Sequence, residues 1–256
     1  MTSRIAITRA VSPALGRCEL SFVERRPIDV AAARRQHREY EACLEALGCG
    51  LLRLPAEAEL PDSVFVEDVA VVLDELAVIT RPGAESRRAE CAGVAVALRP
   101  YRRLAAIQAP GTLDGGDVLA AGRHVFVGRS TRTNEDGITQ LRQHLGPLGY
   151  AVEAVAVAGC LHLKSAATAV GPDQLLVHPG RVDPAAFAGL RLLEVDPAEP
   201  DAANVLRVGD TVVAATAHPR TRRRLSAAGL EVRTVDLSEL AKAEGALTCC
   251  SLIFQT

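Results

Sequence analysis

The sequence predicts an α/β propeller of five pseudo-equivalent units, closed by pairing of the N- and C-terminal strands. Three observations carry this reading. Four segments repeat one plan of apolar strand, polar turn, apolar strand and helical stretch. The two chain ends together supply a fifth copy, and one polar residue recurs in phase with the repeat. Periods of ~20–50 residues are the mark of solenoids and propellers.

Taken in order, "IAITRAVSP" near the start resembles "AVITRPGAE" of the first full copy, so it reads as a hairpin's second strand. A helix over about residues 28–47 completes that unit. The full copies are "VFVEDVAVVLDELAVITRPGAESRRAECAGV", "TLDGGDVLAAGRHVFVGRSTRTNEDGITQLRQHL", "HLKSAATAVGPDQLLVHPGRVDPAAFAGL" and "NVLRVGDTVVAATAHPRTRRRLSAAG". In each, apolar runs broken by "DE", "AGR", "GPD" or "GD" signal a hairpin, and a segment of helical periodicity follows. Each unit ends on one more strand, such as "YAVEAVAV" or "LEVRTVDL". At the C-terminus "CCSLIF" provides the first strand missing from the split copy, and pairing it with the N-terminal strand leaves no free sheet edge. The whole of 1–256 is thus expected to be one domain.

Composition fits this plan. Apolar residues make up 48% of the 256, with no Trp and one Met, so Leu, Val, Ile and Ala must fill the interior. A formal charge of −2 with scattered arginines gives no field to gather nucleic acid or anionic lipid. The N-terminal "MTSRIAITRA" lacks an apolar secretion core and no stretch approaches ~20 apolar residues, so a cytoplasmic protein is expected, with no membrane partner. Seven cysteines without CxxC spacing exclude a disulfide framework and a zinc ribbon. A homodimer is left open.

The polar residues at the start of each first strand are Glu67, Asp114, His162, Asn204 and Cys249, separated by 47, 48, 42 and 45 residues. In a ring of equivalent units these positions face one axial cavity. A cysteine, a histidine and a carboxylate converging there form a nucleophilic machine, in which His162 pairs with the Cys249 thiolate and Asp114 orients the imidazole. Cys250, one residue along a strand, points to the other face and packs. Blander readings compete. "TLDGGD" is also a plain turn, and Cys160, His162, Cys249 and Cys250 are an adventitious zinc set, although no metal and no cofactor are expected.

Asp62, Glu67 and Asp68 lie among Val and Phe in "PDSVFVEDVA", where an unpaired carboxylate is costly to desolvate. Either a substrate guanidinium sits against them, held in plane by two carboxylates, or Arg87, Arg88 and Arg132 pair with them internally.

At these residues the chain resembles the dimethylarginine dimethylaminohydrolases of the guanidino-group-modifying superfamily. The matching strings are "DSVFVEDVAVV", "ITRPGAESRR", "TLDGGDV", "VGRSTRTNEDG", "LHLKSAATAV" and "GALTCCSLIF", from residue 62 to 254. The resemblance implies a five-unit propeller and the hydrolysis of methylated arginine, a small-molecule substrate, to citrulline and an alkylamine. It implies Cys249 as nucleophile, His162 as general acid and base, and Asp114 as its support. Glu67 and Asp68 would bind the guanidinium, Asp62 the α-amine, and Arg87 and Arg132 the α-carboxylate, with Leu20 covering the substrate from a lid. The N-terminal "VSPALGRCELSF" departs most from the family. Two rivals stand beside this reading: an arginine deiminase-like hydrolase, which would release ammonia, or a hydrolase of another N-substituted guanidino or ureido amino acid, and a non-catalytic propeller that binds a partner and needs no Cys, His and acid in phase.

Overall fold

The computed structural model describes residues 4–256; residues 1–3, the start of the stretch read as lacking a secretion core, lie outside the described residues. The first strand, β1 (Arg4–Arg9), leads through a long loop to α1 (Val30–Ala46) and β2 (Cys49–Leu54). The first complete unit is β3 (Ala70–Val72), β4 (Leu76–Ile79), α2 (Cys91–Leu98) and β5 (Arg103–Ala106). The second is β6 (Val118–Ala121), β7 (His124–Arg129), α3 (Glu135–Leu145) and β8 (Ala151–Ala156). The third holds β9 (Ala167–Gly171), β10 (Gln174–Val177) and β11 (Arg191–Glu194). The fourth holds β12 (Leu206–Val208), β13 (Thr211–Ala215), α4 (Pro219–Ala227) and β14 (Glu231–Val235), followed by α5 (Ser238–Ala241) and β15 (Leu252–Gln255).

These strands make five three-stranded sheets of one connectivity. In each, a hairpin pairs the first two strands antiparallel and a crossover brings the third back parallel to the second, which lies in the middle. The split copy obeys the same rule: β15 pairs antiparallel with β1, Ile5 opposite Phe254 and Ile7 opposite Leu252, and β1 pairs parallel with β2. The architecture is a propeller-like α/β fold whose chain ends share a sheet.

The two longest helices, α1 and α3, are side-chain capped at their starts and apolar on one face. The Asp29 side chain accepts from Ala32 N at the start of α1, and Ala33, His37, Tyr40 and Leu44 are buried along one stripe. Asn134 caps α3 through Gly137 N, and Ile138, Leu141 and Leu145 sink into a core shared with Val71, Val78, Val118 and Val125 of two sheets. That core binds adjacent units, each fully buried Leu or Ile contributing about 1.5–3 kcal/mol.

Two expectations are corrected. The third unit has no helix between β10 and β11, only the 3-10 turn Pro184–Phe187. Asp183 caps it, and Gly189 at φ +89° turns the chain into β11, so the connection is too short for further turns. The in-phase polar residues also do not begin strands. Four sit on or beside 3-10 turns just ahead of them, Glu67 within Val66–Val69, Asp114 before Gly115–Asp117, His162 before Leu163–Ser165 and Cys249 within Thr248–Cys250, whereas Asn204 lies in irregular chain two residues before β12. Cys250 is fully buried in the core, but turn geometry, not strand alternation, separates it from Cys249.

Candidate active site

The turns carrying Glu67 and Asp114 meet backbone to backbone, and the latter also meets the His162 and Asp68 side chains, which requires glycine. A Cβ on Gly115 would lie 2.0 Å from Glu67 O, and one on Gly116 would lie 2.6 Å from His162 Nδ1 and 2.7 Å from Asp68 Oδ1. The "GG" of "TLDGGD" is therefore the space into which the imidazole and a carboxylate are packed.

Asp114, fully buried, accepts Gly83 N at 2.9 Å on Oδ1 and holds His162 Nε2 at 3.0 Å from Oδ2. His162 Nδ1 is then left 3.8 Å from Asp68 Oδ1, beyond hydrogen-bond reach. Burial pulls the imidazole pKa down, but Asp68, the Asp114 hydrogen bond and Asp117 overcome it and raise it to about 9. Asp68 is itself fixed by Arg87 Nη1 at 2.5 Å and Gly116 N at 3.1 Å. Burial opposes its charge, but His162 and Arg87 hold its carboxyl below the ordinary range.

Cys249 is half-buried and shares a cavity of about 20 Å³ with Asp62, Asp68, Arg87, Arg132, His162 and Glu244. Burial first, then Glu67 and Asp68, push its thiol well above the ordinary value. This shift and that of His162 favour the protonated forms, a thiol and an imidazolium, at the cavity that both residues line. The Cys249 turn is braced from two sides: Asn204 Nδ2 and Oδ1 bond Thr248 at 3.0 and 3.1 Å, and the Tyr40 hydroxyl spans Leu247 O and Ser251 Oγ.

No family model matches the chain. Among curated proteins it is 43% identical over 254 residues to the N(G),N(G)-dimethylarginine dimethylaminohydrolase of Streptomyces coelicolor, covering 98% of this chain and 97% of that one. The enzyme of the same name from Pseudomonas aeruginosa is 35% identical over 228 residues, 88% of this chain and 90% of the relative. The chain belongs to the dimethylarginine dimethylaminohydrolase family. A solved Pseudomonas aeruginosa member, a cysteine-to-serine variant complexed with citrulline, superposes with a TM-score of 0.93 at 33% identity over 99% of this chain and 100% of that one.

Within this family member the residues singled out from the sequence fall into three groups. Cys249, His162, Asp68, Asp62, Arg87 and Arg132 line one cavity, with Asp114 directly behind the imidazole. Glu67 does not line it. Its carboxylate binds Lys164 Nζ at 2.6 Å and Thr248 Oγ1 at 2.6 Å, and it lines a separate cavity of about 270 Å³. Leu20 is half-buried against the α1 core and does not line the site cavity. Arg87 is wholly engaged inside the protein, bonding Asp68, Glu90 and the carbonyls of Asp62 and Phe65. Arg132 bonds Ser21 Oγ at 3.0 Å, and Asp62 accepts Glu19 N at 3.1 Å.

The suggested zinc quartet does not assemble as a set. Cys160 Sγ donates to His162 O and Cys250 Sγ to Ala246 O. Among the described residues the group with metal-binding spacing is Asp68, Asp114 and His162, already joined by the contacts given above.

Three supporting residues escaped the sequence reading. Asp117, read as a turn former, accepts Ser130 Oγ, Thr133 Oγ1 and Leu163 N, pinning the turn after His162; burial raises its carboxyl to about 6. Lys164, inside "LHLKS", neutralises Glu67. Tyr40 carried no sequence signal beyond the apolar stripe of its helix.

Proposed function

We propose that the protein hydrolyses the guanidino C–N bond of Nω-methylated arginines, releasing citrulline and an alkylamine through a covalent intermediate on Cys249. The observation that carries this is the meeting of Cys249, the His162–Asp114 pair and Asp68 at one cavity. The citrulline complex of a family member supports it. We infer further that the five units close into a single-domain ring around this site, a reading supported by the β1–β15 pairing.

The electrostatics suggest the order of events. A guanidinium entering beside Asp68 offsets the carboxylate field that keeps the Cys249 thiol protonated, so the thiol proton leaves to solvent as the cation binds. The thiolate attacks the guanidinium carbon. His162, already protonated, gives its Nδ1 proton to the departing alkylamine, leaving an S-alkylthiouronium on Cys249. The now neutral His162 takes a proton from water, the resulting hydroxide attacks the same carbon, and collapse expels the thiolate, which takes up the hydroxyl proton as citrulline forms and the resting thiol returns. Asp114 keeps Nε2 bonded throughout, and positioning with preorganised charge supplies most of the rate. No cofactor takes part in this scheme. Arg132 would hold the substrate carboxylate and Asp62 its α-amine.

The two arginines separate under mutation. Arg87→Ala leaves Asp68 and Glu90 buried without their cation, so unfolding free energy is expected to fall by about 3–5 kcal/mol in a urea titration. Arg132→Ala should leave stability within about 0.5 kcal/mol and raise KM, since its guanidinium bonds Ser21 Oγ at an exposed position.

The proposal is tested by assaying arginine, monomethylarginine, asymmetric dimethylarginine and agmatine, with citrulline and released amine read together. Equimolar citrulline and methylamine or dimethylamine are expected, with kcat/KM on arginine lower by about 10–100-fold, the usual worth of a missing methyl. Ammonia from arginine as the best reaction would establish the deiminase instead.

A further inference from the structure

The cavity of about 20 Å³ is room for roughly one water, far less than an amino acid requires. Something above it must move. Residues 18–25 cross over the site without helix or strand, and they are tied down chiefly by polar contacts. Glu19 N bonds Asp62 Oδ2, Ser86 Oγ bonds Glu19 Oε1 at 2.6 Å, and Arg132 bonds Ser21 Oγ. Leu20 packs inward, while Phe22 and Val23 are 47% and 44% exposed and add little burial.

The strongest tie is one carboxylate. Glu244 Oε1 accepts Ser21 N at 3.0 Å and Val23 N at 2.9 Å, and also bonds Phe22 N; Oε2 accepts Ser21 N at 3.1 Å. Three successive amides turned toward one anion form a nest. Glu244 is the one non-glycine residue with positive φ among the described residues, at +58°. An L side chain is disfavoured there. The next residue, Gly245, is fixed as glycine for a different reason, since a Cβ there would lie 2.2 Å from the Phe65 ring. Glycine would also suit position 244 sterically, so the glutamate is retained against its backbone preference, and its carboxylate is what glycine lacks. It lines both the site cavity and an adjoining one of about 400 Å³ that Phe22 and Val23 also border.

We propose that Glu244 is the latch of a lid formed by residues 18–25: gripping the amides of Ser21, Phe22 and Val23, it holds the site shut and must release them for substrate to enter. Glu244 is thus a positioning residue for the reaction, and this rests on the reading of the cavity as the substrate site. The latch sets access to Cys249 without touching the reacting atoms.

The test compares E244G and E244Q with the native protein. Hydrogen exchange at the amides of residues 21–23 should accelerate at least about 10-fold in E244G, with a smaller gain in E244Q, because local opening controls exchange there. Labelling of Cys249 by iodoacetamide should rise in the same order. Tm of E244G should stay at or above the native value, since glycine accepts the left-handed backbone, and kcat/KM should change through KM more than kcat. Native exchange and labelling rates in E244G would overturn the latch, as would acceleration spread evenly over the whole molecule, which marks a merely structural residue. Neither readout uses turnover. Amides that open in a protein yielding no citrulline would sink the proposed reaction and spare the latch.

Discussion

Replacing Cys249 by serine is expected to lower kcat by about 10⁴-fold or more with Tm close to native. The side chain is half-buried and the change is nearly isosteric, so little packing is lost. The chemistry is lost because no base stands ready for a hydroxyl: His162 carries its proton up to about pH 9 in the unliganded site, and the Glu67 and Asp68 charges oppose any anion beside them. A thiol can still ionise when a guanidinium offsets that field, whereas an alcohol cannot. Cys250→Ala gives the contrast. Its sulfur is fully buried and bonds Ala246 O, so a small cavity costs about 1–2 kcal/mol of stability while kcat stays near native. Equal loss of turnover in both variants would mean that the wrong sulfur was chosen. Labelling the native enzyme sharpens the test. A cationic haloamidine should modify Cys249 at least about 10-fold faster than the neutral haloamide of the same size, since one unit charge near a carboxylate is worth over 1 kcal/mol at partial burial. Equal rates would remove the cation's part in making the thiolate.

What the sequence could show is what depends on periodicity. Strand alternation, hairpin breaks and the likeness of residues 5–13 to 77–85 are local patterns, and the five sheets with β15 against β1 follow from them. The phase of Asp114, His162 and Cys249 was legible for the same reason. Direction was not. Glu67 and Asp68 are neighbours on a turn of about three residues per revolution, so consecutive side chains diverge by ~120°, and one acid enters the site cavity while the other faces Lys164. Strand reasoning would have made the same split for Cys249 and Cys250 by accident of spacing. The ion pairing of Arg87 with Glu90 was equally hidden, because i,i+3 proximity decides it only once the 3-10 turn Glu85–Glu90 exists. The third unit misled because "DPAAFAGL" has helical composition but only about one turn of room. Glu244 gave no signal, since nothing in a sequence marks a glutamate that will adopt a left-handed backbone.

Removing the imidazole should be the other large loss, and it carries a pH signature that a structural defect would not share. His162→Ala is expected to lower kcat by about 10²–10⁴-fold, the usual worth of a positioned acid and base. In the native protein the folded imidazole titrates near 9, against an ordinary value of 6.5, because Asp68, Asp114 and Asp117 outweigh burial. A pKa raised on folding stabilises the fold fully below the unfolded value and loses that contribution as pH climbs through the folded one. Native unfolding free energy should therefore decline between pH 6.5 and about 9, by roughly 3 kcal/mol for that separation. His162→Ala should be less stable at pH 6.5, with Asp114 left buried without its cation and Asp68 with Arg87 alone, and should lack the decline that His162 gives across the same window. Over that range kcat/KM should fall on the alkaline side as the imidazolium that protonates the leaving amine disappears. Asp114→Asn keeps the shape but removes one of the charges holding the proton, so it should move both the stability decline and the alkaline limb to lower pH. Native stability that stays level from pH 6.5 to 9 would place the proton elsewhere, and the acid in this reaction would then have to be a group other than His162.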